Sequence, residues 1–424
     1  MLTTFASKSD PRISEPSDIT ISGTQIEIDV GLLTGGIDRP YAFGLATGLA
    51  AKGVRLDVLG SNELDSPEMH ATDMLRFLNL YGDGRKRLGL AGKVARILRS
   101  YARLIRYAAG AKPKILHILW NNRIQLFDRT LLMAYYKLLG KKIVFTAHNV
   151  NAGKRDAKDS FLNRSSLRIQ YRLADHIFVH TEKMRSELIE DFGVHGGCVS
   201  VIPFGINNSL SLTALTPAEA KRRLGLHSDE KTILFFGRLR PYKGLEYLVA
   251  AFQQIVAEEP GYRLLIASEP KVGSEKYFDQ IRRLISRDND GRMIIQQFSF
   301  ISDEDTELYF KAADVLILPY TDTSQSGVLF LGYSFGLPAI VTNVGSFAED
   351  IRAGKTGFLC NPRDADDLAR TIKAYFASDL YMDLDERRQE IVDYARSRNS
   401  WETVSEITRD VYAMLLRNGS TGVR

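Results

Sequence analysis

The chain of 424 residues is poor in cysteine, with only Cys198 and Cys360, which lie far apart. Neither belongs to a CxxC pair or to a cysteine and histidine spacing typical of zinc sites, so the sequence offers no disulfide framework and no zinc motif. This composition suits a reducing compartment. We therefore predict that the protein is cytoplasmic.

Long apolar runs are also missing from the sequence. No stretch approaches the roughly 20 apolar residues that a membrane span requires, so we expect any membrane contact to be peripheral. The opening residues are polar, contain Pro11 and Pro16, and lack the apolar core of a signal peptide. We predict a disordered leader over residues 1–22.

Short apolar runs alternate with helix-length amphipathic segments, a pattern typical of βαβ units with buried parallel strands. Six runs precede residue 205: QIEIDV, RLDVLG, KILHILW, KIVFTAH, HIFVH and VSVIPF. Six more follow: TILFFG, RLLIAS, RMIIQQF, DVLILPY, PAIVTN and GFLCN. Each series is enough for one doubly wound sheet, and a ligand is expected between the carboxyl ends of the strands.

The segment from Phe235 to Phe252, FFGRLRPYKGLEYLVAAF, passes from an apolar run through a basic turn into a helix pattern. Gly237 allows a close approach of the backbone to a ligand, and the start of a helix presents free amides. With Arg238 and Lys243 added, the turn suits a diphosphate. The alternative is a solvated basic turn, which the loop taken alone slightly favours.

Several motifs together resemble the donor domain of retaining family 4 glycosyltransferases. They are, in order, GRLRPYKGLEYLVAAF, ADVLILPY, SFGLPAIVTNVGSFAEDI and GKTGFLCNPRDADDLARTI. The first half agrees more loosely, through LLTGGIDRPYAFGLATGLAAKGVRLDVLG, FTAHNVN and VIPFGINN. The resemblance implies an α/β protein with the GT-B fold, in which two doubly wound, Rossmann-like domains face a cleft.

The resemblance also implies a domain plan and an activity. Residues 23–205 would bind the acceptor, residues 206–395 would bind the nucleotide sugar, and a last helix within residues 396–424 would cross back to the first domain. A sugar would pass from a nucleotide-diphosphate sugar to an acceptor with its anomeric configuration retained.

The family pattern gives roles to particular residues. Arg238 and Lys243 would hold the diphosphate and stabilise charge on the leaving group, so no metal and no other cofactor is expected. His148, in TAHN, would reach the donor sugar, and the alternative is a structural hydrogen bond. Gly35 and Gly36 would bring backbone amides near the phosphate or the acceptor, and the alternative is a plain tight turn.

Two glutamates of the family pattern are absent here, because Thr323 and Leu331 stand at their positions. We expect donor contacts instead from a loop that leads into a helix, at Ser324, Gln325, Ser326, Gly327 and Val328. Asp322 or Glu349 would supply a carboxylate. The loss leaves an alternative open, a catalytically silent nucleotide-sugar-binding subunit or scaffold on the same fold.

Residues 85–114 carry ten Lys and Arg residues and no acid, interleaved with apolar residues at helical spacing. We predict a basic amphipathic helix that binds anionic lipid at the inner face of the cell membrane. The alternative is a solvated face whose apolar stripe packs on the sheet. A lipid-linked or oligosaccharide acceptor of surface glycan synthesis would follow.

Two other ligands are not expected. The net charge of +5 is small, and few aromatic residues interleave with the basic run, so we predict no nucleic-acid binding. Asp288 and Asp290 form the D-x-D spacing of a metal site, but we interpret their segment as a hydrophilic turn.

Overall fold

The computed structural model describes residues 27–36, 39–83, 89–156, 159–206, 213–270, 273–286 and 293–420. Several predictions therefore lie wholly or partly outside the described residues, including the starts of the runs QIEIDV and RMIIQQF at residues 25 and 292. Three others concern the leader and two polar segments. These are the leader over residues 1–22, the D-x-D turn at residues 288–290, and the first basic residues of the 85–114 segment, namely Arg85, Lys86 and Arg87.

The strands form two separate parallel sheets. The first has the order β3-β2-β1-β4-β5-β6-β7 and the second has the order β10-β9-β8-β11-β12-β13. The first sheet contains β1 (Asp29–Leu33), β2 (Arg55–Gly60), β3 (Leu75–Asn79), β4 (Ile115–Ile118), β5 (Lys142–Thr146), β6 (His176–Val179) and β7 (Val199–Val201). The second contains β8 (Lys231–Phe236), β9 (Tyr262–Ala267), β10 (Ile294–Gln297), β11 (Val315–Leu318), β12 (Ala339–Thr342) and β13 (Gly357–Cys360).

The α-helices lie between the strands and after the last one. They are α1 (Arg39–Ala51), α2 (Leu90–Gly110), α3 (Gln125–Phe127), α4 (Met133–Leu138), α5 (Ala152–Arg155), α6 (Phe161–Leu173), α7 (Glu182–Phe192), α8 (Pro217–Arg223), α9 (Leu245–Glu258), α10 (Glu275–Ile285), α11 (Asp303–Ala312), α12 (Gly327–Ser334), α13 (Phe347–Asp350), α14 (Ala365–Phe376), α15 (Asp379–Met382), α16 (Leu384–Arg398) and α17 (Trp401–Ser420). Short 3₁₀ turns occupy Pro67–His70, Gly196–Cys198 and Pro241–Lys243, and a π-helical turn occupies Asp128–Leu132.

Each of the twelve predicted apolar runs overlaps one strand of the structure, which confirms the two-sheet α/β fold class. The central strands β4 and β11 are buried at every residue, and such burial on both faces produces continuous apolar runs. Strand β3 was not predicted from the sequence. This edge strand buries only Leu75 fully, so it lacks the apolar run that marks the others.

The order of each sheet fixes where loops meet. In the first sheet the strand order reverses between β1 and β4, and in the second between β8 and β11. Loops at the carboxyl ends of such strand pairs diverge and leave a crevice for a ligand. The turn at Gly35 and Gly36 follows β1, and the turn at Gly237 follows β8, so both turns lie at such crevices.

The last helix, α17, returns to the first domain and packs on α1. Glycines on α1 permit this approach, since a Cβ atom on Gly44 would lie 2.0 Å from the Trp401 ring. The indole Nε1 of Trp401 donates to the carbonyl oxygen of Ile206 at 2.7 Å. Inside the core, the Tyr412 hydroxyl lies 2.5 Å from Nδ1 of His117. The helix therefore completes the core of the first domain, in agreement with the predicted GT-B fold, in which the last helix crosses back.

The interval between the two sheets runs from the end of β7 at Val201 to the start of α8 at Pro217. The predicted boundary between residues 205 and 206 lies in this interval. The predicted boundary between residues 395 and 396 lies within α16.

We expect Gly44→Ala to destabilise the first domain, because the added methyl group has no space beside Trp401. Overpacking of this kind costs about 1–3 kcal/mol, and each kcal/mol lowers the melting temperature of a domain of this size by about 2–4 °C. Gly110→Ala is the matched control, since nothing lies within 4 Å of its Cβ position. Thermal unfolding followed by circular dichroism measures both. Equal melting temperatures for the two variants would contradict the close packing of α17 on α1.

Candidate active site

The turn that follows β8 is shaped by two glycines. Gly237 has φ 110° and Gly244 has φ 64°, both in the left-handed region. A Cβ atom on Gly244 would lie 2.1 Å from the carbonyl oxygen of Pro319, just after β11. This close approach holds the basic turn against the end of the neighbouring strand, so both loops border one crevice.

Lys243 lies at the centre of this crevice with only 7% of its surface exposed. Its Nζ donates to the Tyr320 hydroxyl at 2.9 Å and lies 4.9 Å from the centroid of the Tyr320 ring. Burial lowers the pKa of Lys243 to about 8; Tyr242 opposes this shift, and the positive charges of Arg155 and Arg238 add to it. The site therefore holds a buried ammonium near two further cations.

Gly237 leaves room for this ammonium. A Cβ atom on Gly237 would lie 2.9 Å from Nζ of Lys243 and 3.4 Å from a methyl carbon of Val328. The structure therefore brings Gly237, Lys243 and Val328, three of the predicted site residues, close together. The side chain of Arg238 is exposed, and it has no hydrogen-bond or ion-pair partner among the residues that the structure describes.

Arg155, at the end of α5 in the first domain, is a site residue that the sequence analysis missed. Its guanidinium lies 4.2 Å above the ring of Tyr242, and its Nε bonds Asp156 at 2.9 Å. Burial lowers the pKa of Arg155, but the hydrogen bond to Asp156 and the charges of Tyr242, Asp156 and Asp322 outweigh burial and raise it. The only sequence signal was its place in the polar segment after β5.

His148 lies just after β5, at the carboxyl edge of the first sheet. Its ring stacks on Trp120 with centroids 4.2 Å apart and meets the edge of Tyr41 at 4.6 Å. Its Nδ1 lies 3.1 Å from Nε2 of His180, and its own Nε2 is buried without a hydrogen-bond partner in the described part of the chain. Burial holds the pKa of His148 well below its usual value, and the neighbouring His180 and His117 lower it further. The ring is therefore neutral near pH 7.

The turn of Gly35 and Gly36 lies beside the same aromatic cluster. Both residues have left-handed backbones, with φ 64° and 67°. A Cβ atom on Gly35 would lie 2.9 Å from the carbonyl oxygen of Trp120, the residue that stacks on His148. The structure thus brings the glycine turn and the histidine together through Trp120.

The loop before α12 lies against the lysine site. The Ser326 hydroxyl is 3.4 Å from the Tyr320 hydroxyl, which accepts the hydrogen bond from Nζ of Lys243. α12 begins at Gly327, and the Ser326 side chain does not cap it. The first amides of α12 therefore stay available to a ligand at the positive end of the helix.

Gln325 and Ser324 complete this loop. The side-chain Oε1 of Gln325 is buried and has no hydrogen-bond partner among the described residues. Ser324 lines a cleft between the domains together with Asn149 and Arg155. An unsatisfied buried acceptor is costly without a ligand, so Gln325 Oε1 is available to accept a hydrogen bond from a hydroxyl group of a ligand.

The positions of the absent glutamates carry no acidic group. Thr323 is buried and its hydroxyl donates to the carbonyl oxygen of Gln325 at 2.9 Å. Asp322 lines the same cleft as Arg155. Glu349 lies on α13 with an exposed side chain, and its carbonyl oxygen accepts from Arg398 at 3.4 Å. The structure brings Asp322 to the cleft, while a donor contact of Glu349 stays a prediction.

Phe204, after β7, joins the two halves of the site. Its ring stacks on Phe330 of α12 with centroids 5.7 Å apart and an interplanar angle of 15°, and it lies 5.0 Å from the His180 ring. A Cβ atom on Gly327 would lie 3.5 Å from the same ring. The aromatic cluster around His148 and the start of α12 therefore border one cleft.

Two family models match this chain. The model described as "Glycosyltransferase Family 4" matches residues 35–210, and the model described as "Glycosyl transferases group 1" matches residues 218–398. The chain belongs to the group 1, family 4 glycosyltransferases. This confirms the family that the sequence motifs indicated.

A curated relative of this chain is a D-inositol 3-phosphate glycosyltransferase from Streptomyces bingchenggensis. It is 28% identical over 249 residues, which cover 58% of this chain and 54% of the relative. The chain spans about half the length of the curated relatives it matches.

Solved structures share the GT-B fold. A sucrose-phosphate synthase from Thermosynechococcus elongatus has a TM-score of 0.72 at 20% identity and covers 93% of this chain and 100% of that one. The Anabaena protein HepE, in complex with UDP and glucose, has a TM-score of 0.70 at 15% identity and covers 92% of this chain and 100% of that one.

We expect anion binding at Lys243 to weaken as the pH rises through about 8, because the buried ammonium then loses its proton. One charged contact is worth about 1.5–3 kcal/mol, which corresponds to about 10- to 150-fold in affinity. Calorimetric titration of a nucleoside diphosphate between about pH 7.5 and 8.5 measures this. In that range the terminal phosphate, with a pKa of about 6, has already lost its proton, so the charge of the ligand stays nearly constant. Lys243→Arg is the control, since arginine stays charged over this range. The same pH dependence in Lys243→Arg would show that Lys243 is not the group whose deprotonation weakens anion binding.

Proposed function

We propose that the protein is a retaining glycosyltransferase that takes a nucleotide-diphosphate sugar as its donor and needs no metal ion. The observation that carries this proposal is the buried ammonium of Lys243 at the carboxyl end of the second sheet, with Arg238 and Arg155 nearby. Retention of the anomeric configuration is part of the proposal, and the resemblance to retaining family 4 glycosyltransferases supports it.

The cations give this site its catalytic role. When the bond between the sugar and the diphosphate breaks, negative charge develops on the departing phosphate oxygen. Lys243 and Arg238 stabilise that charge, together with the amides at the start of α12. The effect is strong because the lysine is buried and already oriented by Tyr320 before the donor arrives.

A metal ion is not part of the proposed mechanism. The described residues include no group of three or more histidine, cysteine, aspartate or glutamate side chains that could hold one. The positive charge that a metal would supply is provided by Lys243, Arg238 and Arg155. Metal independence remains a proposal, which activity in the presence of a chelator would test.

The acceptor site is assigned to the first domain, beside the turn of Gly35 and Gly36. A cavity there has an apolar wall from Tyr81, Ile97 and Leu104 of the described chain. The cations Arg96 and Arg123 line the same cavity. Apolar walls with cations suit an acceptor that combines a lipid with a phosphate, which supports a lipid-linked glycan acceptor.

Helix α2 supports a location at a membrane surface. The apolar residues of α2 fall into two sets. Tyr101 and Leu104 pack inside the first domain, whereas Leu90 and Leu98 are 80% and 61% exposed. Cations lie exposed along the same helix, at Lys93, Arg99, Arg103 and Arg106. Exposed apolar residues among cations are typical of helices that bind anionic membrane surfaces. None of the helices in the described ranges is long and apolar enough to span a bilayer.

Donor binding tests the proposed function directly. We expect one of the diphosphates UDP, GDP and ADP to bind tightly in calorimetric titration and the monophosphate CMP to bind weakly. The double variant Arg238→Ala, Lys243→Ala should lose about 100-fold or more in affinity for that diphosphate, since two charged contacts are removed. Lys276→Ala, an exposed lysine on α10, is the control and should bind normally. If no nucleotide binds the unaltered protein, the donor assignment is wrong.

Membrane binding tests the role of α2. Each cation near an anionic surface contributes about 1 kcal/mol, so the triple variant Arg99→Gln, Arg103→Gln, Arg106→Gln should bind anionic vesicles about 100-fold more weakly. Vesicle co-sedimentation at low and high salt measures the partition coefficient. Met382→Ser, which removes an exposed apolar side chain from the second domain, is the control and should bind as the unaltered protein does. Unchanged partitioning of the triple variant would exclude the proposed membrane face.

A further inference from the structure

We propose that His180 is a positioning residue that fixes the tautomer of His148, so that Nε2 of His148 presents a lone pair to a hydroxyl group of the donor sugar. His180 is the last residue of the predicted strand run HIFVH, and the family pattern gave it no role. The inference rests on the proposed function for the identity of the ligand, but the tautomer itself is a property of the protein without ligand.

The direction of the hydrogen bonds starts at a backbone carbonyl. Nδ1 of His180 lies 3.2 Å from the carbonyl oxygen of Ile202. A carbonyl oxygen only accepts, so Nδ1 of His180 carries the hydrogen and donates it. In a neutral imidazole the other nitrogen, Nε2, then carries a lone pair.

That lone pair determines the state of His148. Nε2 of His180 lies 3.1 Å from Nδ1 of His148, and two lone pairs would repel each other at this distance. Nδ1 of His148 therefore carries a hydrogen and donates to His180. Its Nε2 is left with a lone pair, which is the buried atom that has no partner among the described residues.

The surroundings keep both rings neutral, as this chain of hydrogen bonds requires. Aromatic rings pack around the pair, with Tyr41, Trp120 and Phe204 in contact with His148. Burial lowers the pKa of His180 to about 4, against the opposing effect of its backbone hydrogen bonds at Ile202 and Pro203. The positively charged form, in which both nitrogens of a ring would donate, is therefore disfavoured near pH 7.

This tautomer gives the cleft two chemically different sides. A buried lone pair accepts a hydrogen bond from a hydroxyl group and repels the oxygen atoms of a phosphate. The cations around Lys243 do the opposite, since they attract phosphate oxygens. His180 thereby helps to orient the donor, with its sugar hydroxyls toward the first domain and its diphosphate toward the second.

Nitrogen NMR of the unaltered, ligand-free protein tests the tautomer. The chain has seven histidines, so selective ¹⁵N labelling of histidine gives a tractable spectrum, and the variants His148→Gln and His180→Gln assign the two signals. We expect long-range proton–nitrogen correlations to place the hydrogen on Nδ1 in both rings. A hydrogen on Nε2 of His148 would overturn the proposal, whether or not any nucleotide binds.

A matched pair of variants tests the positioning role. His180→Gln keeps an amide N–H that can donate to the carbonyl oxygen of Ile202 and an amide oxygen that can accept from Nδ1 of His148. His180→Phe fills the space with a ring that can form neither hydrogen bond. We expect His180→Phe to lower kcat/KM for the donor sugar about 5- to 100-fold, and His180→Gln to restore it to within about threefold of the unaltered protein.

Nucleoside diphosphate affinity is the readout that separates positioning from a merely structural role. We expect it to be unchanged in both variants, because His180 faces the sugar side of the cleft. Equal loss of transfer in the two variants, or a parallel loss of diphosphate affinity, would contradict the positioning role. Failure of the unaltered protein to bind any nucleotide would instead count against the proposed function.

Discussion

The burial of the Lys243 ammonium is the constraint on which the rest of the site depends. An ammonium withdrawn from water loses hydration, and no carboxylate compensates for that loss among the hydrogen bonds and ion pairs of the described residues. The hydroxyl and ring of Tyr320 compensate in part, and Gly237 and Gly244 supply the space and the backbone conformation that the turn needs. The result is a preorganised positive site that an anion would complete.

The first domain contributes a different kind of surface to the same cleft. His148 is neutral and lies among aromatic rings, and its partner His180 is held by a backbone carbonyl. Arg155 is the exception, since it brings a cation from the first domain to Tyr242 in the second. A ligand with one charged end and one hydroxyl-rich end fits this division, and a nucleotide-diphosphate sugar has that form.

The sequence was sufficient for the fold because buried parallel strands are local signals. Each apolar run marks a strand without reference to the rest of the chain, and only the edge strand β3, with its single fully buried Leu75, lacked that signal. Lys243 and His148 were also predictable from the sequence, since each follows a strand within a motif of the family. Tyr320 and Arg155 were not, because their roles come from contacts between segments far apart in sequence, such as the bond from Lys243 to Tyr320 across 77 residues.

The central claim is that the buried lysine binds the diphosphate of the donor. A crystal structure of the protein with the nucleoside diphosphate that binds most tightly tests this claim most directly. The account predicts phosphate oxygens within hydrogen-bond distance of Nζ of Lys243 and near the guanidinium of Arg238, with the amides at the start of α12 facing them. Clear density for the diphosphate at another site, such as the cations of α2, with the Lys243 crevice empty, would contradict it.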